Sequence, residues 1–598
     1  MRDYILFPMV IFLGAAPAWA ITLAQNGKSE YVIVKPEKCA PVVDTAAADL
    51  QAHLAQITGA TLPIQTDAAP LPRKAIVLGD TRYLGELGVK PDWEALGDEG
   101  YLIATRGDRL VIVGGPVRGT AYGVYAFLDE RLGCRWFTPT VSRIPKRSTL
   151  RLGHIDETYV PPLLYREPFW VEARDQDWNL RNRMNTSWIV RLDEAHGGCF
   201  LYWGVHTFAQ FVPPQTYFAT HPEYYSLIDG ARRHETAQLC LTHPDVLALI
   251  TERVREVFRS DPNARVVDVS QNDCFHPCQC APCQAIAKAE ESEAGPVIWF
   301  VNQVADAVRE EFPDRFVGTL AYQYTRKAPK TLVPRDNVAP RLCSIECCFS
   351  HPLDGCPSDR NKTFVGDMKA WQQKTQNLFI WDYVTNFSHY IQPFPNLYSL
   401  QPNIQFFIAH GTRGLFEQGN YQGNGCGEMA ELRAYLLARM LWKPNRDVDQ
   451  EIAEFTDAYY GPAAKPIRKY IAFLHDRAAT STEHIGLGYP PTGAFFADDF
   501  VPRANKILAK AERAAKDDPE RLLRVKKFRM PVYYVAMMRL PETGPVPEDQ
   551  LVQQKASAKE FFAIADALQI QFANEGQSMS SFKDAYWARV ASLTDAGK

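Results

Sequence analysis

Between residues 160 and 425 the chain alternates short apolar runs with longer helical stretches, and this alternation limits the fold more than any other feature. A β-rich run, a helix and a second β-rich run make a βα unit, and successive units lay their strands parallel in one sheet. Eight runs read as strands: 163–165, 187–190, 202–205, 266–270, 316–322, 342–346, 378–381 and 414–417. Helical spacing lies between several of them, as in 245–259, 297–311 and 364–375. Eight such units predict a (β/α)8 TIM-type barrel over 159–428, with chemistry at the C-terminal strand ends.

The chain of 598 residues is too long for one core. Residues 21–158 read as a smaller α/β domain. It has strands at 32–34, 75–78 and 110–113, a helix over 47–57 stopped by Gly59, a helix over 120–132, and an edge strand at 134–137. The glycines at Gly114, Gly115 and Gly119 do not have dinucleotide-loop spacing, and Pro116 lacks an N–H, so no nucleotide cofactor is expected there. Residues 429–598 read as a helical region. At the N-terminus Arg2 precedes an apolar run over 4–18 and the small-x-small triplet Ala18-Trp19-Ala20. That run is too short to span a bilayer and reads as a signal peptide over 1–20, so an exported chain without membrane insertion is expected. The net charge of −4 gives no electrostatic case for nucleic acid.

Polar side chains gather after the predicted strands. His206 follows the third, Asn272 and Asp273 the fourth, Tyr322 and Tyr324 the fifth; Glu346 closes the sixth, Trp381, Asp382 and Tyr383 the seventh, Glu417 and Gln418 the eighth. Four carboxylates at one barrel mouth among aromatic rings suit glycoside hydrolysis, which needs a protonated acid and a second group at an oxocarbenium-like centre. Asn272-Asp273 could divide labour, one orienting a substrate amide and the other delivering a proton, or could simply form a turn. No cofactor is implied, and the expected partner is a glycan or glycoprotein.

Thirteen cysteines include Cys274, Cys278, Cys280 and Cys283 around His276. These could bind zinc, but in an exported chain disulfides are the favoured reading, so no metal is expected. Cys343, Cys347, Cys348 and Cys356 are possible partners.

Several stretches resemble known families. Residues 120–125 and 133–137 are similar to the small domain that precedes the barrel in α-glucuronidases and β-N-acetylhexosaminidases. Ser270-Gln271-Asn272-Asp273, Phe349-Ser350-His351-Pro352-Leu353, residues 381–387 with Asn386, Pro393-Phe394-Pro395-Asn396, Phe416-Glu417-Gln418-Gly419 and 459–463 resemble the domain of unknown function 4838, part of which is glycoside hydrolase family 163. The resemblance implies a retaining endo-β-N-acetylglucosaminidase that cuts the chitobiose core of complex N-glycans, with assistance by the substrate's acetamide. Asn272 and Asp273 then stand where polarising and acid residues belong; Glu346 and Glu417 are rival acids, and Asp382 a group for the acetamide or a ring hydroxyl. The sugar contacts would come from His206, Tyr322, Tyr324, Trp381, Tyr383, Asn386 and Gln418. A different sugar such as a uronoside, or glycan binding without turnover, are the alternatives.

Overall fold

The computed structural model describes residues 21–425, 427–497, 499–541 and 546–595. The leader expected over 1–20 lies outside them. The chain divides into two compact units, one running to Cys134 and including Ile144–Val160, the other comprising Arg135–Arg143 and Pro161–Lys598.

The first unit carries a six-stranded mixed sheet that includes Ala75–Leu78, Tyr101–Arg106 and Arg109–Gly114. Helix Pro41–Thr58 buries Val42, Val43, Ala46, Leu50, Leu54 and Ile57, and ends at Gly59, whose φ of 86° is open to glycine at no steric cost. The helix expected over 120–132 is α-helical across Gly119–Ala126 and widens to a π turn across Phe127–Arg131. The expected edge strand at 134–137 is not part of this sheet. Among the described residues the strand partner of Arg135–Trp136 is Ser142–Arg143, in the second unit.

The second unit is built on seven parallel strands. We label them β1 (Tyr165–Phe169), β2 (Leu201–Trp203), β3 (Ala264–Asp268), β4 (Phe316–Ala321), β5 (Val338–Cys343), β6 (Leu378–Tyr383) and β7 (Thr412–Gln418). Their order is β1-β7-β6-β5-β4-β3-β2. Strand alternation sorts their side chains onto two faces. Val267, Val317 and Val338 pack outward against Val297, Phe300 and Val301 of helix Ala294–Val308. Tyr165, Tyr202, Asp268, Gly318 and Arg341 therefore face inward. The Arg341 guanidinium lies 3.5 Å from the Tyr202 ring centre. It is 5.3 to 5.8 Å from those of Tyr165, Trp188, Trp381 and Phe416. Rings from β1, β2, β6 and β7 meet on one cation only if the sheet is strongly curled, and the Tyr165 and Tyr202 rings, on its two edge strands, are 6.2 Å apart. Gly318 is required at this crossing, because a Cβ there would lie 2.5 Å from the Tyr202 hydroxyl.

The eighth strand expected at 187–190 does not form. The backbone N–H groups of Ser187, Trp188 and Ile189 all donate to the Glu167 carboxylate of β1, at 2.7, 3.1 and 3.1 Å. Three consecutive N–H groups cannot turn to one acceptor in a strand, where neighbours point to opposite sides. The segment nevertheless bridges the two edges of the sheet. Asn185 accepts from the Arg166 N–H of β1 at 2.9 Å, and the Trp188 indole donates to the Tyr202 carbonyl of β2 at 2.6 Å. The expected helical region follows as Ala430–Trp442, Val448–Tyr460, Ala464–Thr480 and further helices within the same unit. Among the described residues no helix is long and apolar enough to cross a membrane.

Candidate active site

The inward residues at the C-terminal ends of the strands form a cluster centred on Asp273. Beyond β3 the chain is held from below: the Ser270 hydroxyl donates to Asp268 and accepts the His206 N–H at 2.9 Å. The Tyr202 hydroxyl donates to the other Asp268 oxygen at 3.1 Å. Burial pushes the Asp268 carboxyl up to about 6, against the opposing pull of the Ser270 hydroxyl and Arg341. His206 Nδ1 sits 2.7 Å from the Gln271 carbonyl, which can only accept, so Nδ1 carries the proton and Nε2 faces Asp273 at 3.9 Å. The Tyr322 hydroxyl donates to Asp273 at 3.1 Å and accepts from the Gln323 amide at 2.9 Å. Burial, then the Asp273 charge, raises the Tyr322 hydroxyl pKa, so it stays a donor. His206 and Gln323 both have left-handed backbones, with φ of 53° and 52°, on either side of the carboxylate. Asp273 itself keeps 64% of its side chain exposed.

Glu346 follows β5 in a turn beyond the strand, which ends at Cys343. Arg326 donates to it at 2.6 Å and to Asp367 at 2.8 Å. Burial raises the Tyr322 and Tyr383 hydroxyls, and the Asp273 and Glu346 charges add to the rise at both, so the two carboxylates lie near the same pair of rings. Trp381 and Tyr383 stack with ring centres 6.3 Å apart, and the Trp381 indole donates to Gln418 at 2.7 Å.

Other expected site residues are placed elsewhere. Asn272 uses its side chain on the backbone, accepting from the Ala209 N–H at 2.9 Å and donating to the Ala237 carbonyl at 2.8 Å. Tyr324 turns to the far side of its loop, 6.1 Å from the Phe275 ring and beside Cys278 and Cys283. Asn386 donates to the Tyr489 carbonyl at 2.9 Å. Asp382 and Glu417 are register partners on β6 and β7 and alternate with the inward pairs Trp381–Phe416 and Tyr383–Gln418. They therefore face outward, beneath the helices, 2% and 1% exposed. Ser344 donates to Asp382, whose carboxyl burial pushes up to about 6. Burial and then the Asp382 charge hold Glu417 well above the carboxylate range.

Three inward residues escaped the sequence reading. Asp268 could have been found by counting back two from Ser270 along the predicted strand. Arg341 has the same inward parity. Trp188, half-buried, sits 5.8 Å from Trp381 and 5.3 Å from Phe416, edge to face, on a segment whose sequence predicts a strand.

No cysteine is disulfide-bonded among the described residues. Two groups could hold a metal: Cys240, Cys278, Cys280 and Cys283, all buried, and Cys348, His351, Cys356 and His484. Cys240 joins the first from a loop that the sequence did not connect to it.

The chain belongs to the family described as domain of unknown function DUF4838, which residues 136–472 match. Residues 22–127 match the N-terminus of glycosyl hydrolase family 67. No curated protein matches the chain. Its fold is similar to that of a family GH115 4-O-methyl-α-glucuronidase with specificity for decorated arabinogalactans. That match has 15% identity and a TM-score of 0.58, over 95% of this chain and 78% of the other. A family GH138 enzyme targeting pectin rhamnogalacturonan II is 13% identical, over 95% of this chain and 99% of its own, with a TM-score of 0.48. A family 89 glycoside hydrolase from Clostridium perfringens in complex with PUGNAc is 11% identical, over 92% and 70%, with a TM-score of 0.46.

Proposed function

We propose that the protein is an exported glycoside hydrolase whose chemistry lies at the inward mouth, with Asp273 and Glu346 as the reacting pair. The observation that carries this reading is the setting of Asp273: an accessible carboxylate held by the Tyr322 hydroxyl, beside His206, on the same mouth as Glu346. Asp273 serves as the proton donor at the glycosidic oxygen. Glu346, oriented by Arg326, faces the oxocarbenium-like centre. The half-buried Trp188 offers the sugar an aromatic surface, backed by the buried Trp381 and Tyr383 rings. Asn272 has its amide oxygen and nitrogen both engaged by the backbone, so the task of polarising an acetamide passes to Tyr322 and Glu346.

The preferred substrate is a β-N-acetylglucosaminide, cut with retention and internally at the chitobiose core of an N-glycan. A neutral sugar is supported by Arg326, whose guanidinium is spent on Glu346 and Asp367. A uronoside is the second reading, favoured by the family 67 N-terminal match and the likeness to a glucuronidase. Purified protein offered aryl N-acetyl-β-glucosaminide, aryl glucuronides and a complex N-glycoprotein decides between them. Release of a GlcNAc-terminated product is expected. Cleavage of glucuronides alone would replace the first reading by the second, and no turnover on the whole set would remove both.

A further inference from the structure

We propose that the protein holds two structural zinc ions, one between Cys240, Cys278, Cys280 and Cys283, the other between Cys348, His351, Cys356 and His484. In each group the four donor atoms lie within 4.8 Å of one another. A tetrahedral zinc with Zn–S of about 2.3 Å has S···S edges of about 3.8 Å, whereas a disulfide needs about 2.05 Å. Cys240 Sγ and Cys280 Sγ are 3.7 Å apart. With Zn–N of about 2.0–2.1 Å the mixed S···N edge is about 3.5 Å. Cys348 Sγ to His351 Nδ1 is 3.3 Å, and Cys356 Sγ to His484 Nδ1 is 3.5 Å. Four protein ligands close the coordination shell, which marks sites that fix structure and leave no position for substrate.

The surroundings suit metal-bound ligands. The Leu227 N–H donates to Cys278 Sγ at 3.3 Å, and the Thr242 hydroxyl lies 3.3 Å from Cys283 Sγ. Arg232, 3.8 Å from Cys278 Sγ, offsets the negative charge four thiolates would bring. In the second group His351 Nε2 lies 3.2 Å from the Ala478 carbonyl, so it holds the proton and Nδ1 offers its lone pair on the side of Cys348. Asn361 grips Cys348 through both its N–H and its carbonyl, at 2.7 and 3.1 Å.

The placement gives the metals a task. Cys278 stands five residues after Asp273, and Cys348 two residues after Glu346. Each ion would pin one of the two loops that carry the mouth carboxylates.

The test is elemental analysis of the full-length protein, purified without reductant or chelator and then exposed to zinc alone. Two zinc per chain are expected in the wild type, one in Cys278→Ser, and one in His484→Ala, whose ligand is exposed and whose loss spares the core. Cobalt in place of zinc should give the intense visible bands of tetrahedral thiolate coordination. Less than one zinc per chain in the wild type, with peptides linked through Cys240 and Cys280 in a non-reducing digest, would overturn the proposal. A single zinc lost in only one variant would overturn the other site.

Discussion

Replacing Glu167 by glutamine tests how the curled sheet is bridged. The carboxyl is fully buried, and burial raises it from 4.5 to about 7, against the N–H groups of Ser187, Ile189 and Trp188 and the Tyr165 hydroxyl. A carboxyl raised on folding contributes its stability below the unfolded value and loses it as pH rises through the folded value. At about 1.4 kcal/mol per unit, the rise from 4.5 to about 7 corresponds to about 3 kcal/mol, of which about 2.5 falls between pH 5 and pH 8. Glutamine keeps the shape without titrating. Its oxygen can accept from Ser187 and Trp188, but its NH2 then meets the Ile189 N–H, and that unmet donor costs about 1–3 kcal/mol. Urea unfolding at both pH values, followed by tryptophan fluorescence, gives the gap between wild type and Glu167→Gln. The variant should be clearly weaker at pH 5, with the gap narrowing by about 2.5 kcal/mol at pH 8. A gap that is constant, or that widens with pH, would show that Glu167 is not a carboxyl raised by burial.

Asn272→Ala should destabilise by about 1–3 kcal/mol, seen in thermal unfolding, because the Ala209 N–H and Ala237 carbonyl lose their partner; glycoside turnover should stay within a few fold. Asp382→Asn removes one carboxyl of the outward pair. Since burial raises Asp382 from 3.8 to about 6, the wild type loses stability as pH rises through that range, and the melting temperature of the variant should gain on that of the wild type between pH 4 and pH 8. Trp188→Ala removes a ring against Trp381 and Phe416 and the bond to Tyr202. It should lower the melting temperature and raise KM more than it lowers kcat, as steady-state kinetics on an aryl glycoside would read.

The parallel strands were legible because apolar runs of three to seven residues between helical spacings have few other solutions, and seven of the eight expected runs are strands, with shifted ends. The run at 187–190 failed for a reason outside itself, since its N–H groups are claimed by a carboxylate twenty residues earlier. Counting strand ends found Asp273, Tyr322 and Tyr383, but a one-residue difference in parity decides which face a side chain takes. Asp382 and Glu417 flank inward residues and face outward for that reason alone. The metal-ligand groups were half visible. Cys278, Cys280 and Cys283 stand close in sequence, whereas Cys240 and His484 arrive from distant loops, which spacing cannot reveal.

Glycoside chemistry at the inward carboxylates, and not at the buried outward pair, is what the proposed function requires. Its most direct test is the rate of hydrolysis of one aryl glycoside by Asp273→Asn and Glu346→Gln beside Asp382→Asn and Glu417→Gln, all shown to be folded. The inward variants should lose about 10²–10⁴-fold in kcat, the worth of a positioned acid or base, while the outward variants keep their rate within a few fold. Full activity in Asp273→Asn, with loss in Asp382→Asn or Glu417→Gln, would contradict it.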